Sequence, residues 1–448
     1  MFTFRVGALP RFERTNVFEY LLIPFVYDEA LHRTMKLALL DIRQLVTVPA
    51  RGRSVKVGHE MNDLGVIENA AVLVEGDTIT WVGRMEDIAL GSVQEADVVD
   101  CMDNIVMPGF VDSHTHLVFG GSREGEFAMR SAGMSYQEIA ERGGGILSTV
   151  RQTREASKKE LKKQARRWLS NMLRHGTTTA EIKSGYGLDM DNEIKMLESI
   201  VELEKEEVIS IVPTFLGAHA VPPEFAENRK EYIREINERM IPYVASHKLA
   251  TFCDVFCEAG YFDVVESEAI LLDGKRFGLT PKIHADELSP SGGAGLAAKV
   301  GAISADHLEH ITESEIQSMA AAGVVATLLP GVSFFLNHRY APARSLIDAG
   351  VPVAIATDFN PGSCMSYSMS LMMTIACTHM RMTPEEVITA STLNAAAAVG
   401  LSHEIGSIEV GKKADMVVLN IPEYKFLPYH FGENHVEQVI KRGTVLEF

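Results

Sequence analysis

Cysteine is scarce in this chain, and the few that occur are not grouped as a disulfide framework requires. The five residues, spread over 448 positions, are Cys101, Cys253, Cys257, Cys364 and Cys377. This distribution is typical of a reduced, intracellular protein, so we expect a cytoplasmic location. Cys253 and Cys257 lie four residues apart, but a lone pair at that spacing is weak evidence for a metal site, and we do not count them as ligands.

Positive charge and long apolar runs are scarce as well. The chain has 42 Lys and Arg against 60 Asp and Glu, which gives a formal net charge of -18. This balance disfavours nucleic acid and anionic membranes as partners, since both are bound through basic patches. No apolar run approaches the roughly 18 residues that predict a membrane-spanning helix. A small molecule is therefore the expected substrate.

The length and apolar content of the chain are those of a large fold. Its 448 residues, 46% of them hydrophobic, suit a barrel of about 250 residues or more with a second, smaller unit. Through the middle, short apolar runs alternate with helical patterns, which is typical of βα units. We therefore predict an α/β protein with a TIM-like (β/α)8 barrel at 105–404. Its strands are predicted at 105–116, 177–184, 209–218, 251–257, 280–286, 302–307, 323–329 and 352–358.

The two ends of the chain have a different pattern from the middle. Short strand-like runs separated by turn residues occur at 35–104 and again at 405–448. We predict that these two segments combine into one small β-sandwich domain. Residues 1–34 contain basic residues and a short apolar patch without a small-residue cleavage site, so they make a poor signal peptide. We interpret them as a leader or an N-terminal extension.

Candidate metal ligands follow the predicted barrel strands. The first strand ends in V-D-S-H-T-H-L, and because side chains alternate between the faces of a strand, His114 and His116 should point the same way. Such a pair is a weak signal when taken alone. However, His284, His307 and Asp358 close the fifth, sixth and eighth strands. The carboxyl ends of barrel strands form one rim, so we expect these side chains to converge there.

Several segments strengthen this interpretation by their likeness to a known family. They are H-T-H-L-V-F-G-G-S-R-E (114–124), G-G-G-I-L-S-T-V (143–150), T-T-T-A-E-I-K-S-G-Y-G-L (177–188), G-A-H-A (217–220), K-I-H-A-D-E (282–287), S-A-D-H-L (304–308) and T-D-F-N-P-G-S (357–363). From about Met35 to its end, the chain resembles the amidohydrolase superfamily. The segments around Lys183–Tyr186 and Asn360–Ser363 resemble one branch of it, which acts on 4-imidazolone-5-propanoate in histidine degradation.

The resemblance implies one divalent ion, Zn or Fe, held by His114, His116, His284 and Asp358. The residue types agree with this, because three neutral imidazoles and a carboxylate suit a borderline divalent ion that lowers the pKa of its bound water. Many superfamily members instead hold two metals through a carbamylated lysine on the fourth strand. Lys183 lies on the second predicted strand, and the fourth has no lysine. A single metal ion is therefore predicted.

The resemblance also points to Glu287 and His307 as catalytic residues beside Asp358. Glu287 lies three residues past a ligand and could move a proton to the departing ring nitrogen, or alternatively could bond a ligand histidine. His307 could accept the proton of the attacking water or stabilise the oxyanion, or alternatively could be a further metal ligand. Three nearby polar residues are interpreted as structural: Asp112, Asp286 and His310.

The implied reaction is hydrolysis of the ring C–N bond of 4-imidazolone-5-propanoate, which gives N-formimino-L-glutamate. An acidic protein needs a local cation to bind this anion, and the planar fork of Arg123 suits a carboxylate, although an exposed surface arginine is the plain alternative. Tyr136 is a weaker candidate for the same tail. The substrate-binding residues implied by the resemblance are Arg123, Tyr186, His219, Glu287, Asn360, Gly362 and Ser363.

Two other functions share part of this pattern. A related single-metal deaminase or cyclic-amide hydrolase would have the same ligands but would not need Arg123 together with the loop 360–363. A scaffold protein derived from the same fold would have lost its ligands, whereas every ligand position is filled in this sequence. The resemblance further implies a homodimer.

Overall fold

The computed structural model describes residues 35–134, 138 and 143–448. The predicted leader at 1–34 and the candidate Tyr136 lie outside the described residues. The strands are β1 Lys36–Leu45, β2 Ile67–Glu75, β3 Thr78–Arg84, β4 Asp97–Asp100, β5 Ile105–Pro108, β6 Phe110–Asp112, β7 Thr177–Lys183, β8 Ser210–Ala218, β9 Phe252–Cys257, β10 Thr280–Ala285, β11 Ser304–His307, β12 Val325–Leu328, β13 Val353–Ile355, β14 Met416–Leu419, β15 Val436–Lys441 and β16 Thr444–Leu446.

Helices follow most of the barrel strands. The α-helices are α1 Glu124–Ser131, α2 Ile146–Glu155, α3 Lys158–Arg174, α4 Met190–Glu206, α5 Arg229–Glu235, α6 Ile241–Ser246, α7 Val264–Arg276, α8 Gly293–Val300, α9 Glu313–Ala322, α10 Pro330–Leu336, α11 Ala343–Asp348, α12 Met369–His379, α13 Pro384–Ser391, α14 Leu393–Ala398 and α15 Phe426–Tyr429. A π-helical turn at Ile236–Met240 joins α5 to α6. No helix within the described ranges has the length and apolar character needed to cross a membrane.

Eight parallel strands, β6 to β13, form the predicted barrel. They pair in chain order, and a bridge between Thr115 and Phe359 joins the two ends of the sheet. Asp112 strengthens this closure, because its carboxylate accepts hydrogen bonds from the N–H and the hydroxyl of Thr357 at 3.0 and 2.5 Å. Strands β7 to β13 lie inside the ranges predicted from the sequence. The α/β barrel is therefore confirmed.

The first predicted barrel strand, 105–116, is wrong in one respect, since it is two strands in two different sheets. Ile105–Pro108 pairs with β14 and β1, whereas Phe110–Asp112 pairs with β7. Gly109 lies between them, and a Cβ at this position would collide with the side chain of Thr178. The glycine therefore permits the close backbone approach needed where the chain crosses from one sheet to the other.

The two ends of the chain build the second sheet, as predicted. Its order is β16-β15-β14-β5-β1-β2-β3, with β4 paired to β1. Its own apolar cluster includes Leu39, Val72, Met416 and Ile440, all buried. Because β5 belongs to this sheet, we propose that the barrel unit begins at Gly109 rather than at residue 105.

The outer helices pack by the usual amphipathic spacing. In α3, residues Leu161, Ala165, Leu169 and Met172 recur every three or four positions, and all are buried. The inside of the barrel is different, because it contains charges. The fully buried charged residues of β7, β9, β10 and β11 are Glu181, Lys183, Asp254, Lys282 and Asp306. Buried charges are rare unless they are paired, so this group has to be explained by what it contacts.

Candidate active site

The four residues proposed as metal ligands meet at the carboxyl ends of the barrel strands. The Nε2 atoms of His114 and His116 each lie 3.4 Å from Oδ1 of Asp358. The Nε2 atom of His284 lies 3.4 Å from that of His116. All four residues are buried. The possible ligand atoms of His114, His116 and Asp358 thus lie within 4.8 Å of one another, and His284 adjoins both His114 and His116.

The chemistry of these atoms fits a divalent cation. His114 Nε2 and Asp358 Oδ1 are buried and have no hydrogen-bond partner within the described part of the chain. Burial lowers the pKa of His114 and His116 well below the usual value, which keeps both imidazoles neutral and able to bind a metal. Burial also raises the pKa of Asp358 to about 7. A cation bound here would satisfy these lone pairs and would favour the ionised carboxylate.

Two aspartates hold two of the proposed ligand histidines by their other ring nitrogens. His114 Nδ1 donates to Asp306 Oδ2 at 2.6 Å, and His284 Nδ1 donates to Asp254 Oδ1 at 3.1 Å. Burial alone would raise the pKa of both aspartates, but buried lysine ammonium groups lower it, Lys183 beside both and Lys282 beside Asp306, so both are ionised and can only accept. The proton therefore lies on Nδ1 of each histidine, and Nε2 keeps its lone pair for a metal.

Lys183 lies beside these aspartates and supplies the opposite charge. Its Nζ is 2.7 Å from Asp254 Oδ2, 2.7 Å from Glu181 Oε1 and 3.7 Å from Asp306 Oδ2. Burial alone would lower the pKa of Lys183, but the three carboxylates raise it above the usual value. An ammonium held in this way has no lone pair with which to form a carbamate. The contacts thus give Lys183 a different task, which is to keep the two aspartates ionised.

We expect Lys183→Met to weaken metal binding about 10- to 100-fold, the range typical of groups that orient metal ligands. Methionine fills similar space but leaves buried Glu181 and Asp254 without this cation, a change that is costly in a protein interior, whereas Asp306 keeps Lys282 at 3.7 Å. Asp254 would take up a proton or move, and the proposed ligand His284, which it holds, would lose its fixed orientation. The dissociation constant of Zn²⁺, measured by competition with a chelator, checks this prediction.

The matched control is Lys158→Met, because the half-buried Lys158 pairs with Glu198 and Glu202 away from the site. We expect it to leave the dissociation constant unchanged. Equal affinities in both variants and the unaltered protein would show that Lys183 has no influence on the metal site.

His307 and Glu287 face each other beside the ligand cluster. Nε2 of His307 lies 3.7 Å from Oε2 of Glu287, and a ring nitrogen of His307 lies within 4.8 Å of nitrogens of His114 and His284. Burial lowers the pKa of His307 well below the usual value and raises that of Glu287 well above it. A neutral imidazole can accept a proton and a protonated carboxyl can donate one, so the two side chains have complementary states for acid–base chemistry.

Several residues of this rim have backbone angles that favour glycine. The φ angles of Asp286, His307, Leu308 and Asp358 are 53°, 79°, 72° and 50°. Asp286 also accepts hydrogen bonds from backbone N–H groups at the start of α8, which agrees with its structural interpretation. Non-glycine residues in this region cost about 1–3 kcal/mol each and persist where the surroundings fix them, often at functional sites. The strain at His307 and Asp358 is thus consistent with a preorganised site.

A cavity of about 730 Å³ opens beside the ligand cluster, within the size range of small-molecule sites. The residues proposed to bind substrate all line it: Arg123, Tyr186, His219, Glu287, Asn360, Gly362 and Ser363. The cavity wall also contains residues that the sequence did not single out, among them Phe256, Tyr261 and Phe335. These aromatic rings give the cavity an apolar side next to its polar groups.

Arg123 lies at the start of α1 and is almost buried, with 9% of its side chain exposed. Its Nε and Nη2 donate to Glu126 at 3.0 and 2.7 Å. A Cβ on Gly362 would collide with Nη1, so the arginine packs directly on the backbone of the loop after β13. The alternative of an ordinary exposed arginine does not apply.

The cavity has a second arginine, Arg130, which the sequence analysis does not single out. Arg130 also lines the cavity, and its Nη1 donates to the carbonyl of Gly362 at 3.2 Å. Residues seven apart lie on one face of a helix, so the spacing from Arg123 to Arg130 could have indicated it.

The buried carboxylate of Glu193, in α4, holds the loop after β7. Glu193 accepts hydrogen bonds from the backbone N–H groups of Gly185, Gly187 and Leu188 at 3.1, 2.7 and 2.9 Å. This holds Tyr186 at the cavity. His219 donates its Nδ1–H to the carbonyl of Gly185 at 2.9 Å, and burial lowers its pKa to about 3. Its Nε2 is therefore an acceptor available to a ligand.

Asn360 shapes the loop after β13. Its Oδ1 accepts hydrogen bonds from the N–H groups of Gly362 and Ser363 at 2.7 and 2.9 Å, and its Nδ2 donates to the carbonyl of Asp358 at 2.7 Å. Ser363 in turn donates its hydroxyl to Asp358 Oδ2 at 3.2 Å. The loop is thus tied to a proposed metal ligand, and most of the hydrogen-bonding capacity of Asn360 is used within it.

Comparisons with known proteins agree with this geometry. A family model described as "Amidohydrolase family" matches residues 105–446. Imidazolonepropionases from Geobacillus kaustophilus and Geobacillus thermodenitrificans are 50% and 51% identical over 407 residues, which cover 90% of this chain and 96% of theirs. A solved adenosine deaminase from Xanthomonas campestris with bound zinc has a TM-score of 0.69 at 20% identity, over 92% of this chain and 93% of its own. This last likeness shows the fold alone.

Proposed function

This chain belongs to the amidohydrolase family, and from its likeness to imidazolonepropionases we propose that it hydrolyses 4-imidazolone-5-propanoate to N-formimino-L-glutamate. This is the third step of histidine degradation. Water is added across the ring C–N bond next to the carbonyl, so the reaction is that of a cyclic-amide hydrolase. The observation that carries the proposal is one cavity in which the ligand cluster, the His307–Glu287 pair and Arg123 meet.

The family is metal-dependent, and the described His and Asp cluster can hold a metal ion. We propose one Zn or Fe ion per chain, bound by His114, His116, His284 and Asp358. When bound, such an ion lowers the pKa of a water molecule and so supplies a hydroxide nucleophile near neutral pH.

Both charged and neutral side chains would orient the substrate. Glu126 already occupies Nε and Nη2 of Arg123, so we propose that the propanoate tail meets the remaining edge of the guanidinium, with Arg130 nearby. The acceptor Nε2 of His219 suits a ring N–H, and the hydroxyl of Tyr186 suits a polar ring atom. These contacts would place the ring carbonyl towards the ligand cluster.

Two proton transfers complete the reaction. We propose that His307 takes a proton from the attacking water, and that Glu287 gives its own proton to the ring nitrogen as the C–N bond breaks. After these steps His307 is charged and Glu287 is ionised. Since their side chains lie 3.7 Å apart, transfer from Nε2 to Oε2 restores both starting states. One water is consumed, and no net proton stays on the protein.

We also propose a cytoplasmic homodimer that binds no nucleic acid. The five cysteines are free, and four of them are buried, which suits a reducing compartment. The excess of acidic residues supports the absence of nucleic-acid partners.

The test is the loss of ultraviolet absorbance of freshly generated 4-imidazolone-5-propanoate, with the metal content counted in the same protein sample. We expect rapid loss at about one metal per chain, the usual loading of a single-ion catalytic site. A fully metallated sample that leaves the absorbance unchanged would refute the proposal and favour a deaminase or another cyclic-amide hydrolase. An inert protein that cannot be loaded with metal would favour a scaffold role.

A further inference from the structure

Glu309 is a buried carboxylate that has no role in the reaction as described above. It follows β11, two residues after His307, and is 3% exposed. Its Oε2 lies 3.8 Å from Nδ1 of His307. Both atoms are buried, and neither has a hydrogen-bond partner among the residues that the structure describes. Nδ1 of the proposed base His307 and a carboxylate oxygen of Glu309 thus face each other, and neither has another partner among the described residues.

The other oxygen of Glu309 is directed elsewhere. Its Oε1 lies 3.4 Å from the hydroxyl of Ser333, and that hydroxyl lies 3.0 Å from the carbonyl of Arg339. If Glu309 is ionised, both of its oxygens are acceptors. If it is protonated, Oε1 can donate to the Ser333 hydroxyl, which then donates to Arg339, and Oε2 is still an acceptor. In either state His307 meets a hydrogen-bond acceptor.

We infer that Glu309 is a positioning residue, which holds His307 in the tautomer with its proton on Nδ1 and so leaves Nε2 free to accept a proton at the reaction centre. A buried donor and a buried acceptor that stay unpaired are both costly, so a small side-chain movement that joins them is favoured. Catalytic hydrogen bonds are commonly long before substrate binds.

The surroundings of Nε2, on the other side of the imidazole, also favour the tautomer with its proton on Nδ1. Nε2 faces Glu287 Oε2, and the ring adjoins His114 and His284. With the opposite tautomer, Nε2 would carry the proton and His307 could not act as a base at that atom. The inference rests on the proposed function, because the tautomer matters only if His307 handles a proton.

The experiment compares Glu309→Met, which removes the acceptor, with Glu309→Gln, which can still turn a carbonyl oxygen to His307. We expect Glu309→Met to lower kcat about tenfold or more, within the range known for residues that orient active histidines. KM should stay within about twofold, as expected when binding is not altered, and the metal content should not change. Glu309→Gln should recover most of the lost turnover.

A double variant separates positioning from a general structural effect. In a His307→Ala background, Glu309→Met should cause no further loss of kcat, because its effect acts through His307. Glu386→Met is the control for removing a buried carboxylate, since Glu386 caps α13 and pairs with Arg344 away from the cavity. It should leave kcat unchanged.

Several results would overturn the inference. They are unchanged turnover in Glu309→Met, loss of its metal, an equal loss in Glu309→Gln, or losses that add in full in the His307→Ala background. An unaltered protein that fails to consume the substrate would instead refute the proposed function, so the two failures are distinguishable.

Discussion

Glu287→Gln should lower kcat about 100- to 10,000-fold while the protein keeps its metal ion, which is the range expected for the loss of a general acid–base group. Glutamine has nearly the same shape but no carboxyl proton to give to the ring nitrogen. Glu287 faces His307 rather than the converged ligand atoms, so the metal content should not change. The prediction is checked by measuring kcat, KM and bound metal on the same preparation.

This variant also decides between the two roles that the sequence left open for Glu287. A hydrogen bond to a proposed ligand histidine is the alternative. Nδ1 of His114 and Nδ1 of His284 already bind aspartates, whereas Nδ1 of His116 has no partner among the described residues. If Glu287 nevertheless held one of the proposed ligand histidines by a hydrogen bond, the glutamine variant would lose metal along with turnover. Loss of turnover alone is the result expected for proton transfer.

Glu386→Gln is the matched control, because Glu386 is also buried but belongs to the cap of α13. It should lower stability without changing kcat of the folded protein. Full activity in Glu287→Gln with an equal metal content would show that the proton-transfer role is wrong.

The positions of the candidate ligands could be predicted because they follow from two general rules of strand and barrel geometry. Alternation along a strand places His114 and His116 on one side, and the architecture of a barrel brings the carboxyl ends of all strands to one rim. Neither rule needs knowledge of which side chains touch. The ends of β10, β11 and β13 were therefore enough to select His284, His307 and Asp358.

The contacts behind those ligands could not be predicted in this way. His114 and Asp306 are 192 residues apart in the chain, and their pairing is set by the packing of the barrel interior. A partial signal was present, since Asp254 is a lone charge in the apolar strand T-F-C-D-V-F-C. A charge at such a position must have a partner, but the sequence does not say which one.

The error in the first barrel strand has a similar origin. The run from Ile105 to His116 is strand-like except at Pro108-Gly109, and this pair marks the change of sheet. A glycine within a strand pattern indicates a bend or a close approach of backbone. Here it is a close approach to Thr178, a residue of another strand, so the break in the strand can be recognised only from the packing.

His284→Ala should lose both the metal ion and turnover, in contrast to the change at Glu287. His284 contributes Nε2 to the cluster and is oriented through Nδ1 by Asp254. Removing one of the four proposed ligands should weaken metal binding by more than the about 10- to 100-fold expected for groups that only orient ligands. A bound ion would supply a hydroxide nucleophile near neutral pH, so a variant that does not bind the ion should also lose turnover.

The measurement is metal content after dialysis, together with the melting temperature of metal-free protein before and after addition of Zn²⁺. A ligand that binds the folded state raises the melting temperature by mass action, so the unaltered protein should respond and His284→Ala should not. His175→Ala is the control, because His175 is half-buried just before β7, at the opposite end of the barrel strands. If His284→Ala kept a full metal load and the same thermal response, His284 would not be a ligand, and His307 would become the candidate for its place, since its ring nitrogen already lies within 4.8 Å of His114.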